Sequence, residues 1–229
     1  NNTATGDNAL YANTTGNQNT AMGYQSLRNN TGDRNTAVGS KTLYSNTTAE
    51  ANTAMGYYSL QNNTTGSYNA AFGGNSLEAN TTGKYNVAVG YAALQGNTTA
   101  NYVTAIGTKA LMNNTTGYGN TAVGTNALES NTTGASNTVS GWNSMPSNTT
   151  GSSNVAMGVH SMSANTTGGF NTAIGSSSLG LNTTGEGNTA TGNDALYNNT
   201  TGGFNIALGS NALNGNTEGG NNVAIGYSA

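Results

Sequence analysis

The chain has 229 residues, only 6% of them charged, and a formal net charge of −3. Its five lysines and arginines are too few for a basic patch, so we expect no nucleic-acid binding through phosphate neutralisation. It contains no cysteine, which excludes disulfides and cysteine-ligated metals, and no apolar run approaches the ~20 residues that span a bilayer.

A repeat of 17 residues runs through the whole chain. Each copy contains an Asn-Thr-Ala-x-Gly segment or a variant of it, and its glycine recurs every 17 residues from Gly6 to Gly226. The one exception is the step of 16 residues from Gly23 to Gly39, where a loop threonine is missing. A fixed period of this size indicates a solenoid. We predict a single continuous array over residues 1–229, built from fourteen coils with the last one partial, and interpret it as a segment of a longer fibre protein.

Positions within a coil are numbered 1 to 17 from the asparagine of that segment, which is Asn120 in the eighth coil. Helix is disfavoured, because Asn, Thr and Gly are poor helix formers and the apolar residues lack helical spacing. We predict two strands, at positions 1–4 and 7–10, separated by a turn at the glycine of position 5. A wider turn falls on the Asn-Thr-Thr-Gly of positions 12–15. The predicted fold is all-β, a parallel β-solenoid with coils about 4.8 Å apart.

The predicted core consists of Ala at position 3 and Leu or Met at position 9. The leucine ladder of position 9 comprises Leu10, Leu27, Leu43, Leu60, Leu77, Leu94, Leu111, Leu128, Leu179, Leu196 and Leu213. Side chains alternate along a strand, so position 4, which is mostly a larger apolar residue, should face away from position 3. Positions 8 and 9 should repeat this arrangement. Strands that are apolar on both faces are covered on both faces, which predicts a homo-oligomer.

The segment Asn-Val-Ala-Ile-Gly at residues 222–226, with its counterpart at residues 154–158 followed by Ser161, resembles the head repeats of trimeric autotransporter adhesins. The full 17-residue unit is similar to the repeat region of bacterial and phage tail-fibre-domain proteins. The resemblance covers the whole chain. It implies a left-handed β-roll and a homotrimer in which the larger apolar residues face the trimer centre.

The Asn-Thr-Thr loop matches the acceptor pattern for N-glycosylation. The candidate sites are Asn13, Asn46, Asn63, Asn80, Asn97, Asn114, Asn131, Asn148, Asn165, Asn182 and Asn199. The alternative is an asparagine ladder, in which the amides are hydrogen-bonded from coil to coil. The stacked threonines are also compatible with an ice-binding surface, although they lie beside a turn glycine.

Aromatic residues recur at position 17, where Tyr68, Tyr85 and Tyr102 occupy three successive coils. Stacked aromatics can hold sugar rings, or they can stack on one another as a structural ladder. The ninth coil departs from the pattern, because Val139 and Ser140 replace the small and the large apolar residue. We expect a local defect there, with Trp142 on the surface.

The residues give no support to catalysis. A lone histidine and scattered carboxylates form neither a metal site nor an acid–base pair, and we expect no enzyme activity and no cofactor. The predicted function is a structural extracellular fibre or stalk, which assembles as a homo-oligomer, a trimer in the first instance, or as a filament. Two alternatives remain: an N-glycosylated fibril, and a solenoid that binds carbohydrate, such as cell-surface glycans, or ice.

Overall fold

The computed structural model describes residues 1–229, and it is all-β without a helix. Its fourteen strands form a parallel sheet in which they follow one another in chain order, one strand per coil. The predicted parallel β-solenoid is therefore confirmed. The strands are β1 (Thr3–Thr5), β2 (Thr20–Met22), β3 (Thr36–Val38), β4 (Thr53–Met55), β5 (Ala70–Phe72), β6 (Val87–Val89), β7 (Thr104–Ile106), β8 (Thr121–Val123), β9 (Thr138–Ser140), β10 (Val155–Met157), β11 (Thr172–Ile174), β12 (Thr189–Thr191), β13 (Ile206–Leu208) and β14 (Val223–Ile225).

The chain divides into two compact units, Asn1–Tyr118 with β1 to β7 and Gly119–Ala229 with β8 to β14. Within each unit, equivalent positions pair with one another: Ala54 lies opposite Ala71, and Ala156 lies opposite Ala173. The 16-residue coil keeps this register, because β2 pairs with β3 at Ala21 and Ala37. Its missing threonine therefore shortens the loop without shifting the strand.

The prediction of a second strand at positions 7–10 is wrong. These residues form turns, and positions 7 and 9 have left-handed backbone angles, with φ of 61° at Tyr58 and 51° at Leu60. The backbone changes direction at each of these left-handed residues, so the side chains of positions 8 and 9 do not alternate between two faces. Ser59 and Leu60 are both fully buried. The second coil segment is therefore an inward-facing bend, and it supplies no outward apolar face.

The core prediction for positions 3 and 9 is confirmed in the interior of both units. Ala54 and Leu60 have no exposed surface, and the same holds for their equivalents from Leu27 to Leu196. Only the coils at the two ends deviate: Ala4 is exposed, and Leu10, Leu213 and Ala224 are half-buried. Packing in the interior therefore joins one small and one large residue in each coil.

The invariant glycine of position 5 is required by close approach between coils. Gly56 has a φ of 133°, a conformation that residues with a side chain rarely adopt. A Cβ atom there would lie 2.5 Å from the carbonyl oxygen of Gly73 in the next coil. Any other residue at position 5 would push the coils apart.

Candidate functional site

The asparagines of position 12 form a buried ladder along each unit. Asn63 Nδ2 donates one hydrogen bond of 2.8 Å to Asn46 Oδ1 in the preceding coil and another of 2.8 Å to its own Gly66 carbonyl. Its Oδ1 in turn accepts a bond of 2.7 Å from Asn80. Both amide hydrogens and the carbonyl oxygen are thus used within the protein.

A second ladder runs beside the first at position 1. Asn69 Oδ1 accepts the backbone N–H of Asn86 in the next coil at 3.0 Å, and Asn69 Nδ2 donates to the Gly83 carbonyl at 2.9 Å. That carbonyl also accepts from Asn80 at 3.1 Å, so the glycine of position 15 joins the two ladders. The repeated asparagines are therefore structural, and each satisfies polar groups that the core would otherwise leave unpaired.

This geometry disfavours glycosylation at the candidate sequons. The ten asparagines from Asn46 to Asn199 have no exposed surface. A glycan replaces one hydrogen of Nδ2, and where both hydrogens are bonded inside the coil stack there is neither a free hydrogen nor space for a sugar. Asn13, in the first coil, is the exception, because it is half-buried. The ladder alternative accounts for the repeated Asn-Thr-Thr better than a glycan coat does.

The aromatic residues of position 17 form the predicted structural ladder. The ring centroids of Tyr68 and Tyr85 lie 5.1 Å apart, those of Tyr85 and Tyr102 lie 5.3 Å apart, and the rings are parallel to within 1°. Because the rings cover each other's faces, only their edges and the two ends of the ladder meet solvent. This ladder is a poor platform for sugars, which stack on aromatic faces.

The larger apolar residues of position 4 form an outward column on the sheet. In the first unit Met22 and Met55 are nearly half exposed, and Phe72 and Val89 are each 37% exposed. The second unit has exposed apolar residues at the same repeat position, including Val123, Met157 and Ile174. A single exposed apolar side chain is ordinary, but a contiguous row marks an interaction surface.

A second exposed column lies at position 6, and sequence reasoning missed it. Tyr24, Tyr57 and Tyr91 occupy the second, fourth and sixth coils, whereas Ser40 and Gly74 lie in the coils between them. The three tyrosines are 48–59% exposed. The signal was available as an alternation of aromatic and small residues at one repeat position.

Neighbouring side chains hold the Tyr57 ring. It stacks on Tyr58 with ring centroids 3.8 Å apart, and Lys41 lies over the Tyr58 ring at 5.4 Å. The hydrogen bond between the two hydroxyls raises the pKa of Tyr57 and lowers that of Tyr58, and the Lys41 charge also lowers the pKa of Tyr58. One face of the Tyr57 ring is therefore covered by Tyr58, while the ring as a whole remains half exposed.

Charged groups are sparse on the surface. Arg34 and Glu50 form an exposed ion pair, which raises the pKa of Arg34. In the ninth coil, Trp142 is 52% exposed and packs edge-on against His160 of the next coil. Val139 is fully buried and keeps β9 in register with β8 and β10, so the expected local defect does not disturb strand pairing.

No group of three or more His, Asp or Glu side chains is arranged to hold a metal ion, and no pocket is present. No helix is long and apolar enough to cross a membrane. Comparison of the chain with protein-family models, curated proteins and solved structures finds no match. The candidate surfaces are therefore defined by the geometry alone: the outward apolar column at position 4 and the tyrosine column at position 6.

Proposed function

We propose that this chain is a structural segment of an extracellular fibre or stalk, such as part of a surface adhesin, a tail fibre or a similar filament, without catalytic activity. The observation that carries the proposal is the outward apolar column of position 4, which includes Met55, Phe72 and Val89. A repeat whose exposed apolar residues recur in most coils is suited to lateral assembly.

The partner proposed for this column is further copies of the same chain, aligned in parallel. Fully burying a Val, Ile or Met side chain contributes about 1.5–3 kcal/mol, so burying one that is already half covered contributes about 1 kcal/mol. That gain recurs in coil after coil when equal positions of neighbouring chains lie at the same level. The resemblance to trimeric adhesin heads favours three chains.

Analytical ultracentrifugation of the full chain tests this assembly. We expect a mass that is a multiple of the chain mass, with three chains as the favoured value. The combined change Met55→Asn, Phe72→Asn and Val89→Asn should yield folded monomers. As a control, Thr65→Asn, Thr82→Asn and Thr99→Asn alter three exposed loop residues and should leave the mass unchanged. A folded wild-type monomer at high concentration would refute the assembly.

The extracellular setting has its own test. Antibodies raised against the folded array should label intact cells or particles of the source without permeabilisation. Labelling that requires permeabilisation would contradict an exposed fibre.

A further inference from the structure

We propose that the position-6 tyrosine column, defined as Tyr24, Tyr57 and Tyr91, is a binding track for an extended, uncharged β-1,4-linked polysaccharide. This inference is independent of the proposed assembly, since it uses a different column of side chains. It assigns a ligand class to residues for which the fold itself has no evident use.

The column is straight and in register. The backbone N–H of each position-7 residue donates to the position-6 carbonyl of the preceding coil: Lys41 to Tyr24 at 2.8 Å, Asn75 to Tyr57 at 2.9 Å, and Lys109 to Tyr91 at 2.9 Å. Strands β2 to β6 of the second to sixth coils also pair in parallel without a shift in register. The position-6 residues of those coils therefore lie one above another.

The spacing within the column suits a disaccharide repeat. Neighbouring strands lie about 4.8 Å apart, so tyrosines in alternate coils recur about every 10 Å. In an extended β-1,4-linked chain, each sugar is turned by half a turn relative to the last. Alternate sugars therefore present the same face, at an interval of one disaccharide, which matches two coils. Each tyrosine could then contact the same face of every second sugar.

The residues between the tyrosines are small, so no other aromatic side chain interrupts the column. A Cβ atom on Gly74 would meet Tyr91 Cδ2 at 3.6 Å and two further atoms near 4 Å, so an alanine would fit there beside the Tyr91 ring. The chain instead has glycine in this coil and Ser40 two coils earlier.

The surroundings favour an uncharged glycan. Sugars present apolar C–H faces to aromatic rings and hydroxyls to polar groups, and aromatic side chains with a polar tip suit such surfaces. Charges of both signs lie near the column. Lys41 lies over the Tyr58 ring, and Lys109 follows at position 7 beside Tyr91. Asp7 occupies position 6 of the first coil, and Glu78 accepts from Asn75 Nδ2 at 2.7 Å. Neither a polyanion nor a polycation would find a matching surface there.

Titration calorimetry of the full chain with cellohexaose and chitohexaose tests the proposal, and retention on microcrystalline cellulose and on chitin beads provides a second readout. The two sugars distinguish a glucan from an N-acetylglucosamine polymer. We expect binding to at least one of them, and Tyr57→Ala or Tyr91→Ala should weaken it about tenfold, the loss of one aromatic contact.

A variant with altered tyrosine spacing distinguishes specific recognition from nonspecific adsorption. Tyr57→Ser combined with Gly74→Tyr keeps the number of tyrosines but moves the central ring by one coil, and it should lose binding as Tyr57→Ala does. Phe170→Ala and Tyr85→Ala remove exposed aromatics of position 17 and should bind like the wild type. Circular dichroism confirms that each variant is folded.

Two results would overturn the track: no binding of either sugar or matrix by the wild type, or a spacing variant that binds as well as the wild type. Sedimentation of the same samples reports the assembly separately. Loss of sugar binding with an intact oligomer would therefore reject the track and leave the fibre proposal standing.

Discussion

Asn63 Nδ2 donates a hydrogen bond of 2.8 Å to Asn46 Oδ1 across the boundary between two coils, and both side chains are fully buried. The same contact recurs along each unit, for example from Asn148 to Asn131 and from Asn165 to Asn148. The repeat is thus stabilised by polar ladders next to its alanine and leucine core. A chain with few large apolar residues can in this way specify a regular stack.

Removing one asparagine of the position-12 ladder should destabilise the array strongly. In Asn63→Ala, Asn46 Oδ1 and Asn80 Nδ2 each lose a partner inside the stack, and an unpaired buried polar group costs about 1–3 kcal/mol. We therefore expect a loss of at least about 2 kcal/mol, measured from the shift of the chemical denaturation midpoint. Asn62→Ala, on the exposed neighbouring residue, should remain within about 0.5 kcal/mol of the wild type. Equal effects of the two changes would rule out a structural role for the ladder.

The adjacent glycines Gly73 and Gly74 should respond oppositely to alanine. Gly73 has a φ of 138°, and its Cβ would collide with the carbonyl of Gly90 in the next coil, so Gly73→Ala should lower the melting temperature sharply or prevent folding. Gly74→Ala meets no atom closer than 3.6 Å and should be neutral or slightly stabilising, because alanine reduces the entropy of the unfolded chain. Thermal melts of the two variants, followed by circular dichroism, provide the comparison.

Expression in a host that performs N-glycosylation should separate the two interpretations of the Asn-Thr-Thr loop. We expect the folded, protease-resistant fraction to carry no glycan from Asn46 to Asn199, since these amides are fully buried. Asn13, which is half-buried, is the one candidate that remains partly accessible. Peptide mapping by mass spectrometry locates any glycan. Finding one on Asn80 in folded protein would show that the ladder can open.

The sequence predicted those parts of the fold that depend on the period. Identical spacing places Ala54 beside Ala71 whatever the local backbone conformation. An invariably small residue at position 3, such as Ala54, and a large apolar residue at position 9, such as Leu60, indicate interior positions. The bend at positions 7–10 could not be predicted in the same way. Leucine at a φ of 51° is unusual, and nothing in its side chain signals a left-handed turn. Stacking on neighbouring coils imposes that conformation.

The candidate surfaces were predicted only in part. Strand alternation correctly placed Val89 opposite Ala88, one exposed and the other buried. The same rule failed at positions 8 and 9, where the turns direct both residues inward. The tyrosine column was missed because its period is two coils, and a search for residues shared by every coil does not reveal alternation.

Site-specific cross-linking measures the register between assembled chains, and it is feasible because the chain contains no cysteine of its own. Val38→Cys and Val89→Cys each place one thiol in the outward column, three coils apart. Treatment with a short bis-maleimide should link like positions, 38 to 38 and 89 to 89, in separate preparations. When the two variants are unfolded together and refolded as a mixture, 38-to-38 and 89-to-89 links should again dominate, whereas links between 38 and 89 should be rare. Abundant mixed links would contradict parallel, in-register assembly, and the absence of any link at high concentration would contradict assembly through this column.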